Sequence, residues 1–224
     1  MKLSTHKQRW KNCSECVGLE HPCGFIRKGI GNNKSTGLHT AHGFSILFLG
    51  EAPGESEQAL GKPFVGRSGK LLDSIIEQAN DHLLGLDPSL DHLGTDLEIN
   101  PTFTNVISCR PPGNRNPTKE EILNCRPKLL ETIAIVNPMA VVCVGAIAKQ
   151  AWTDLQKDKT VHESRLHNLP SREIRQVARV LSGPRINIKH PAAILRAPEQ
   201  VQVFETAEAV CDLVCFVQDQ LVKS

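Results

Sequence analysis

The chain has 224 residues, of which 40% are hydrophobic and 22% charged, and its net charge is +2 at neutral pH. That length supports one good core and is short for two domains. The near-neutral balance excludes a broadly basic nucleic-acid binder, so any DNA footprint has to be a local patch; the lack of Tyr and scarcity of other aromatics exclude base stacking along an extended single strand.

Residues 1–43 form a polar, Gly-rich arm with few periodic apolar positions. It holds Cys13, Cys16 and Cys23, and needs a staple to be ordered. Met1 to Lys7 is followed by no apolar run, so it does not read as a secretory leader. No stretch approaches the roughly 18–20 apolar residues that span a bilayer. The expected setting is cytoplasmic and reducing, where eight cysteines point to a metal site or buried thiols rather than disulfides.

Phe44–Leu49, ending at Gly50, reads as a buried strand. A Gly/Pro-rich loop runs from Glu51 to Gly66. Ser68 then caps a helix with Leu71, Leu72, Ile75, Ile76 and Ala79 on one face. Residues 81–101 read as a polar loop. Phe103–Ser108 is a second strand, followed by the rigid turn Pro111–Pro117. Thr118 and Glu121 make a capping box for a helix carrying Ile122, Leu123, Leu129, Leu130 and Ile133, with Pro127 weakening its middle. Ala140–Gly145 is the third strand, and a helix from Ala146 to about Leu155 follows. Residues 156–183 are charged and ambiguous. Arg185–Ile188 is a fourth strand before His190-Pro191, and the last helix, about Glu199 to Val222, presents Phe204, Ala207, Cys211, Val214 and Cys215 at helical spacing. Strands alternating with helices predict a three-layer α/β/α sandwich around a mainly parallel, four-stranded sheet, all in one domain spanning 1–224. In such sheets the loops beyond the carboxyl ends of the strands make the site.

Among the cysteines, Cys13-x2-Cys16 is a close pair, while Cys109 and Cys125 are separated by fifteen intervening residues. Four thiolates suit zinc or a cluster, and spacing alone does not choose, since the second C-x2-C of a common zinc pattern is absent. Cys23 or a histidine is an alternative member, and unlinked thiols are a further reading. Cys143, Cys211 and Cys215 sit on apolar faces and read as core. Glu51 is a carboxylate at a strand end, placed to orient water. Phe64, in a Gly/Pro loop, reads as a stacking platform for a planar ligand or as a loop anchor. Asn105 offers a donor and an acceptor, which suits a pyrimidine edge or a nearby backbone. His190, beside Pro191, is placed to donate to a developing anion; the other eight histidines read mostly as surface residues.

The segments GEAPGESEQALGKPFVGRSGKLLDSI (50–75), TNVISCRPPGNRNPTKEEILNCRPKLL (104–130), VVCVGAIAKQAW (141–152) and NIKHPAAILRAP (187–198) together resemble the iron–sulfur uracil-DNA glycosylases known as family 4, and occur in that family's order. The resemblance implies excision of uracil from DNA by hydrolysis of the N-glycosidic bond, leaving an abasic site. It implies a [4Fe–4S] cluster on Cys13, Cys16, Cys109 and Cys125, with Cys23 a bystander. It also implies that Glu51 positions the attacking water, Phe64 stacks on the flipped uracil, Asn105 reads its edge, His190 stabilises the departing base and the Ala52 amide faces it. Expected DNA contacts are Arg110, Arg115 and Arg196, with Lys62, Arg67 and Lys189 as further candidates and Leu195 as a wedge into the vacated stack. Two departures stand out: the last motif reads His-Pro-Ala-Ala-Ile where the common pattern is His-Pro-Ser-Tyr-Leu, and 153–183 matches poorly. Gln58-Ala59-Leu60-Gly61 runs straight on, without the basic insertion of a branch that bonds covalently through histidine. The expected partner is uracil-containing DNA, with no membrane, acting as a monomer. Alternatives are a same-fold glycosylase for another damaged base, or a non-catalytic, metal-containing DNA-binding protein.

Overall fold

The computed structural model describes residues 3–16, 18–19, 26–28, 44–85, 98–158 and 170–222. The central strands form because short β-branched and apolar runs bury both faces. These are β2 (Phe44–Gly50), β3 (Ile99–Asn105), β4 (Ala140–Val144) and β5 (Arg185–Ile188), all mutually parallel. A two-residue strand, β1 (Arg27–Lys28), adds antiparallel to β3 with Arg27 opposite Phe103. The sheet order is β1-β3-β2-β4-β5, so the sequence-expected four-stranded parallel sheet is present with a short fifth strand at its edge. Two residues carry no periodicity, which is why β1 was not legible.

Alternation along β2 and β4 divides the core. Phe44, Ile46, Phe48, Ala140, Val142 and Val144 face α3 (Arg67–Gly85) and α8 (Glu199–Val222). Leu47, Leu49, Val141 and Cys143 face α4 (Lys119–Val136), α5 (Ala146–Lys157) and α6 (Ser171–Ser182). That is the three-layer α/β/α sandwich. Burying each large apolar side chain contributes about 1.5–3 kcal/mol. Among the described residues no helix is long and apolar enough to cross a membrane.

Several sequence expectations shift. The second strand begins at Ile99 and ends at Asn105, not at Phe103 and Ser108; Asn105 therefore terminates the strand instead of sitting within it. The loop after β2 contains a short helix, α2 (Glu55–Leu60), and α3 starts at Arg67, one residue ahead of the expected Ser68 cap. α3 continues to Gly85 through what read as loop, while residues 86–97 lie outside the described ones. In the ambiguous 156–183 segment α6 forms over 171–182, and 159–169 are not described. α4 runs on through Pro127, whose ring removes the amide that would bond the Leu123 carbonyl. The Thr118–Glu121 capping box is present, with Glu121 N–H donating to Thr118 Oγ1 at 3.2 Å and Thr118 N–H to Glu121 Oε2 at 2.7 Å.

The largest correction concerns α8. Its buried stripe is Ala209, Val210, Leu213, Phe216 and Val217, while Phe204 is 69% exposed and Cys211 and Cys215 are exposed. Both stripes have helical spacing, so the apolar pattern did not determine which side of the helix turns inward. Cys143 is buried as expected.

The arm has a polar staple. In α1 (Leu3–Trp10), His6 is fully buried, contrary to a surface assignment. The buried Glu131 carboxylate of α4 lies 3.0 Å from His6 Nδ1, accepts from Trp10 Nε1 at 2.6 Å and pairs with Arg9 at 2.8 Å. Burial pushes Glu131 up, yet the bonds from His6 and Trp10 and the Arg9 charge leave its pKa below the usual carboxylate range.

Candidate active site

The parallel register brings the loops together at one edge of the sheet. Gly50 ends β2 directly opposite Asn105 at the end of β3. The chain then bends, with Val106 N–H donating to Gly50 O at 2.9 Å and Ile107 N–H to Glu51 O at 3.1 Å. Glycine at 50 is a steric requirement. A Cβ there would stand 2.4 Å from both Asn105 Oδ1 and Phe64 Cζ. The Asn105 amide and the Phe64 ring thus converge over Gly50, with Glu51 the next residue. Asn105 is 4% exposed and Phe64 is 6% exposed.

Phe64 is therefore a loop anchor, packed into the core. Its ring lies 5.6 Å from that of Phe103, and its φ of 55° is left-handed, an uncommon state for a bulky residue that surrounding contacts must enforce. One enforcing group escaped sequence reasoning. Glu57 Oε1 accepts from the Val65 and Gly66 amides at 2.9 Å each, and Oε2 from Gly54 N–H at 3.1 Å. The signal was available in outline, because Glu57 occupies the third position of a helix following Gly54, where a carboxylate reaches back to free amides.

His190 follows β5 and caps α7 (Pro191–Ile194). Its Nδ1 accepts from Ala192 N–H at 3.1 Å. A backbone amide only donates, so the neutral ring must carry its proton on Nε2. Burial, and then the Arg196 charge, lower the His190 pKa from 6.5, which keeps the ring neutral near pH 7. The ring rests on Gly145, the residue after β4: a Cβ at Gly145 would lie 3.0 Å from His190 Cβ, and the φ of 92° there also calls for glycine. Glu51 is half-buried, and desolvation raises its pKa above 4.5. Glu51, Phe64 and Asn105 group around Gly50; His190 stands at the same edge, beyond the end of β4.

The expected DNA contacts divide. Arg196 is exposed beside the histidine, and Leu195 ends α7 partly exposed. Lys62 and Arg67 are exposed near Phe64. Arg115 is committed to Glu121 through a fork of 2.6 and 3.0 Å, which holds Glu121 below the usual carboxylate range. Arg110 donates to Asn114 Oδ1 at 2.8 Å, and Lys189 pairs with Glu205.

The second constellation is the cysteine quartet. Cys13, Cys16, Cys109 and Cys125 line one cavity of about 170 Å³, together with Leu19, Ile107, Glu121 and Asn124. Burial, and then the neighbouring Cys125 and the other thiols, push Cys109 up to about 12, and burial likewise raises Cys16 and Cys125. Thiolates crowded in this way repel each other unless a cation compensates them. Among the described residues no three ligand side chains converge on one point, as a single ion requires. Cys23 lies outside the described residues.

Residues 39–214 match a family model described as the uracil DNA glycosylase superfamily. The chain is 34% identical over 196 residues to a type-4 uracil-DNA glycosylase of Archaeoglobus fulgidus, covering 87% of this chain and 84% of that protein. It is 31% identical over 205 residues to the type-4 enzyme of Pyrobaculum aerophilum, covering 88% and 87%. A type-5 uracil-DNA glycosylase of the latter organism is 46% identical over 49 residues, or 22% of this chain and 21% of that protein.

Proposed function

Because the chain belongs to the uracil DNA glycosylase superfamily, we propose that it hydrolyses the N-glycosidic bond of deoxyuridine in DNA, releasing uracil and leaving an abasic site. The observation that carries this reading is the grouping at the sheet edge: an amide and an aromatic ring converging over Gly50, a half-buried carboxylate beside them, and a neutral imidazole with its Nε2 proton fixed.

The target base lies inside a stack, so the nucleotide is extruded first, at a cost of a few kcal/mol that is least at a mismatch. Phe64 takes the face of the extruded base, Asn105 takes its polar edge, and the Ala52 amide faces it. Cytosine presents a donor where uracil presents an acceptor, leaving buried polar groups unpaired, which discriminates strongly. As the C–N bond breaks, negative charge gathers on uracil and positive charge on the sugar. The His190 Nε2–H donates to the departing base. A fixed donor of that kind contributes about 3–4 kcal/mol to the transition state. Ionised Glu51 holds the water that attacks the sugar. Arg110, Arg196, Lys62 and Arg67 contact phosphates, and Leu195 fills the gap in the stack. Arg115 and Lys189 reach DNA by exchanging their carboxylate partners.

Cys13, Cys16, Cys109 and Cys125 are the proposed ligands of a [4Fe–4S] cluster. What supports this is that all four thiols line one cavity, and cysteine thiolates are the usual ligands of such clusters. Bound there, the cluster supplies iron–thiolate bonds that tie the arm to the loop after β3 and to α4. We propose that the enzyme acts as a monomer.

The test incubates purified protein with oligonucleotides containing one uracil, hypoxanthine or ethenocytosine, followed by alkali. Strand cleavage at uracil above the other lesions supports the reading. Binding without cleavage at any of them supports the non-catalytic alternative instead.

A further inference from the structure

Arg27 of β1 turns inward over the Phe103 ring, and nothing in the chemistry above uses it. Its side chain is 13% exposed. Nη1 and Nη2 donate to Asp73 of α3 at 3.2 and 2.8 Å, and Nε donates to the Pro63 carbonyl at 3.0 Å. The guanidinium lies 3.9 Å from the centroid of the Phe103 ring, which in turn abuts Phe64. The Pro63 carbonyl belongs to the peptide immediately before Phe64. Glu57 holds the amides immediately after it, at Val65 and Gly66. The left-handed Phe64 backbone is thus gripped on both sides, from β1 and from α2.

We infer that Arg27 and Glu57 are positioning residues for uracil recognition: they fix the Phe64 ring over Gly50, and so make the N-terminal arm part of the base pocket. This rests on the reading above that Phe64 faces the base. The fork matters as much as the charge. Only a planar guanidinium bonds Asp73 twice, reaches Pro63 O through Nε and stacks on Phe103 together. The arm that carries the first two cysteines therefore also reaches the pocket, so losing its anchorage is felt at the base.

The experiment measures single-turnover excision and inhibition by free uracil, in protein of matched iron content and folded signature by circular dichroism. The variants are Arg27→Gln, Arg27→Lys, Phe64→Ala and the Arg27→Gln/Phe64→Ala double. A ring displaced by about 1 Å costs up to about 100-fold. Arg27→Gln is expected to slow excision and weaken uracil inhibition by about 10- to 100-fold, with Arg27→Lys intermediate. The double variant is expected to be no slower than Phe64→Ala alone, because both changes act through one ring. Additive losses in the double, or slower excision with unchanged uracil inhibition, overturn the proposal, since Arg27 then acts on DNA or on the fold. Full activity and uracil inhibition in Phe64→Ala overturn the reading of Phe64 itself, a separate failure. Should Arg27→Gln not fold, Asp73→Ala removes both acceptors of the fork and is read by the same cycle.

Discussion

Replacing Gly50 by alanine adds a single methyl where the structure has no room. The new Cβ stands 2.4 Å from Asn105 Oδ1 and Phe64 Cζ and 2.9 Å from Phe64 Cε2. Ordinary contact begins near 3.4 Å, so the amide and the ring must each retreat by about 1 Å, a displacement that costs catalysis on the order of 100-fold. Neither neighbour is a flexible chain end. Asn105 is buried at a strand terminus paired with Gly50, and Phe64 is held between Glu57 and the core. Relief by backbone movement would pull β2 from β3, so a stability loss of about 1–3 kcal/mol is expected as well. Single-turnover excision from a U·G duplex measures the first effect and thermal melting the second. Gly50→Ala should be slower by about two orders of magnitude and still folded at 25 °C. A variant with the wild-type rate and melting temperature would refute the convergence of Asn105 and Phe64 over Gly50.

Four further outcomes are expected. Glu51 acts as the anion and burial raises its pKa, so excision should rise with pH through a limb lying above 4.5, and Glu51→Gln should slow the reaction and remove that limb from the pH–rate profile. His190→Ala should slow excision by about 100- to 1,000-fold, with binding to a non-hydrolysable uracil analogue in DNA, measured by anisotropy, changed little. Glu131→Ala removes the acceptor shared by His6, Trp10 and Arg9, leaving His6 its Thr132 contact, and should destabilise the α1–α4 contact by about 1–3 kcal/mol, read as earlier proteolysis of the arm. Since the folded Glu131 pKa is depressed, the wild-type contact is fully stabilising above the unfolded value of 4.5 and is lost as pH falls through the lower folded value, so the variant's deficit should shrink under acid. In native protein Cys211 and Cys215 should label with maleimide quickly and buried Cys143 not at all, its thiol being raised to about 11 by burial; mass spectrometry of the labelled peptides gives the order.

The layers were legible because they rest on local patterns. Phe44–Leu49 and Ala140–Val144 are apolar on both sides, and the helices between them carry stripes. The capping box at Thr118 was legible for the same reason. What escaped the sequence depends on partners far away in the chain. β1 exists because Arg27 meets Asp73, Pro63 and Phe103, and α1 is anchored because Glu131 collects His6, Arg9 and Trp10. Polar staples of this kind leave no periodicity. The face of α8 was misjudged because two apolar stripes competed, and the sheet's need for Leu213 and Phe216 decided between them. At the site, Glu51 and His190 stood out by residue type at strand ends, and Asn105 by its amide, although its place at the end of β3 was not read. That Gly50 and Gly145 are the floors beneath Asn105 and His190 emerges only from the register between strands. Arg115 carries a partner that the sequence did not announce: its guanidinium forks onto Glu121, six residues on, so a phosphate contact there requires an exchange of partners.

The most direct measurement is a crystal structure of the chain with free uracil. The account predicts the ring lying against Phe64 at the carboxyl edge of the sheet, its amide edge bonded to Asn105 and its O2 to His190 Nε2. Uracil seated elsewhere, or bound there without either of those two bonds, would contradict it.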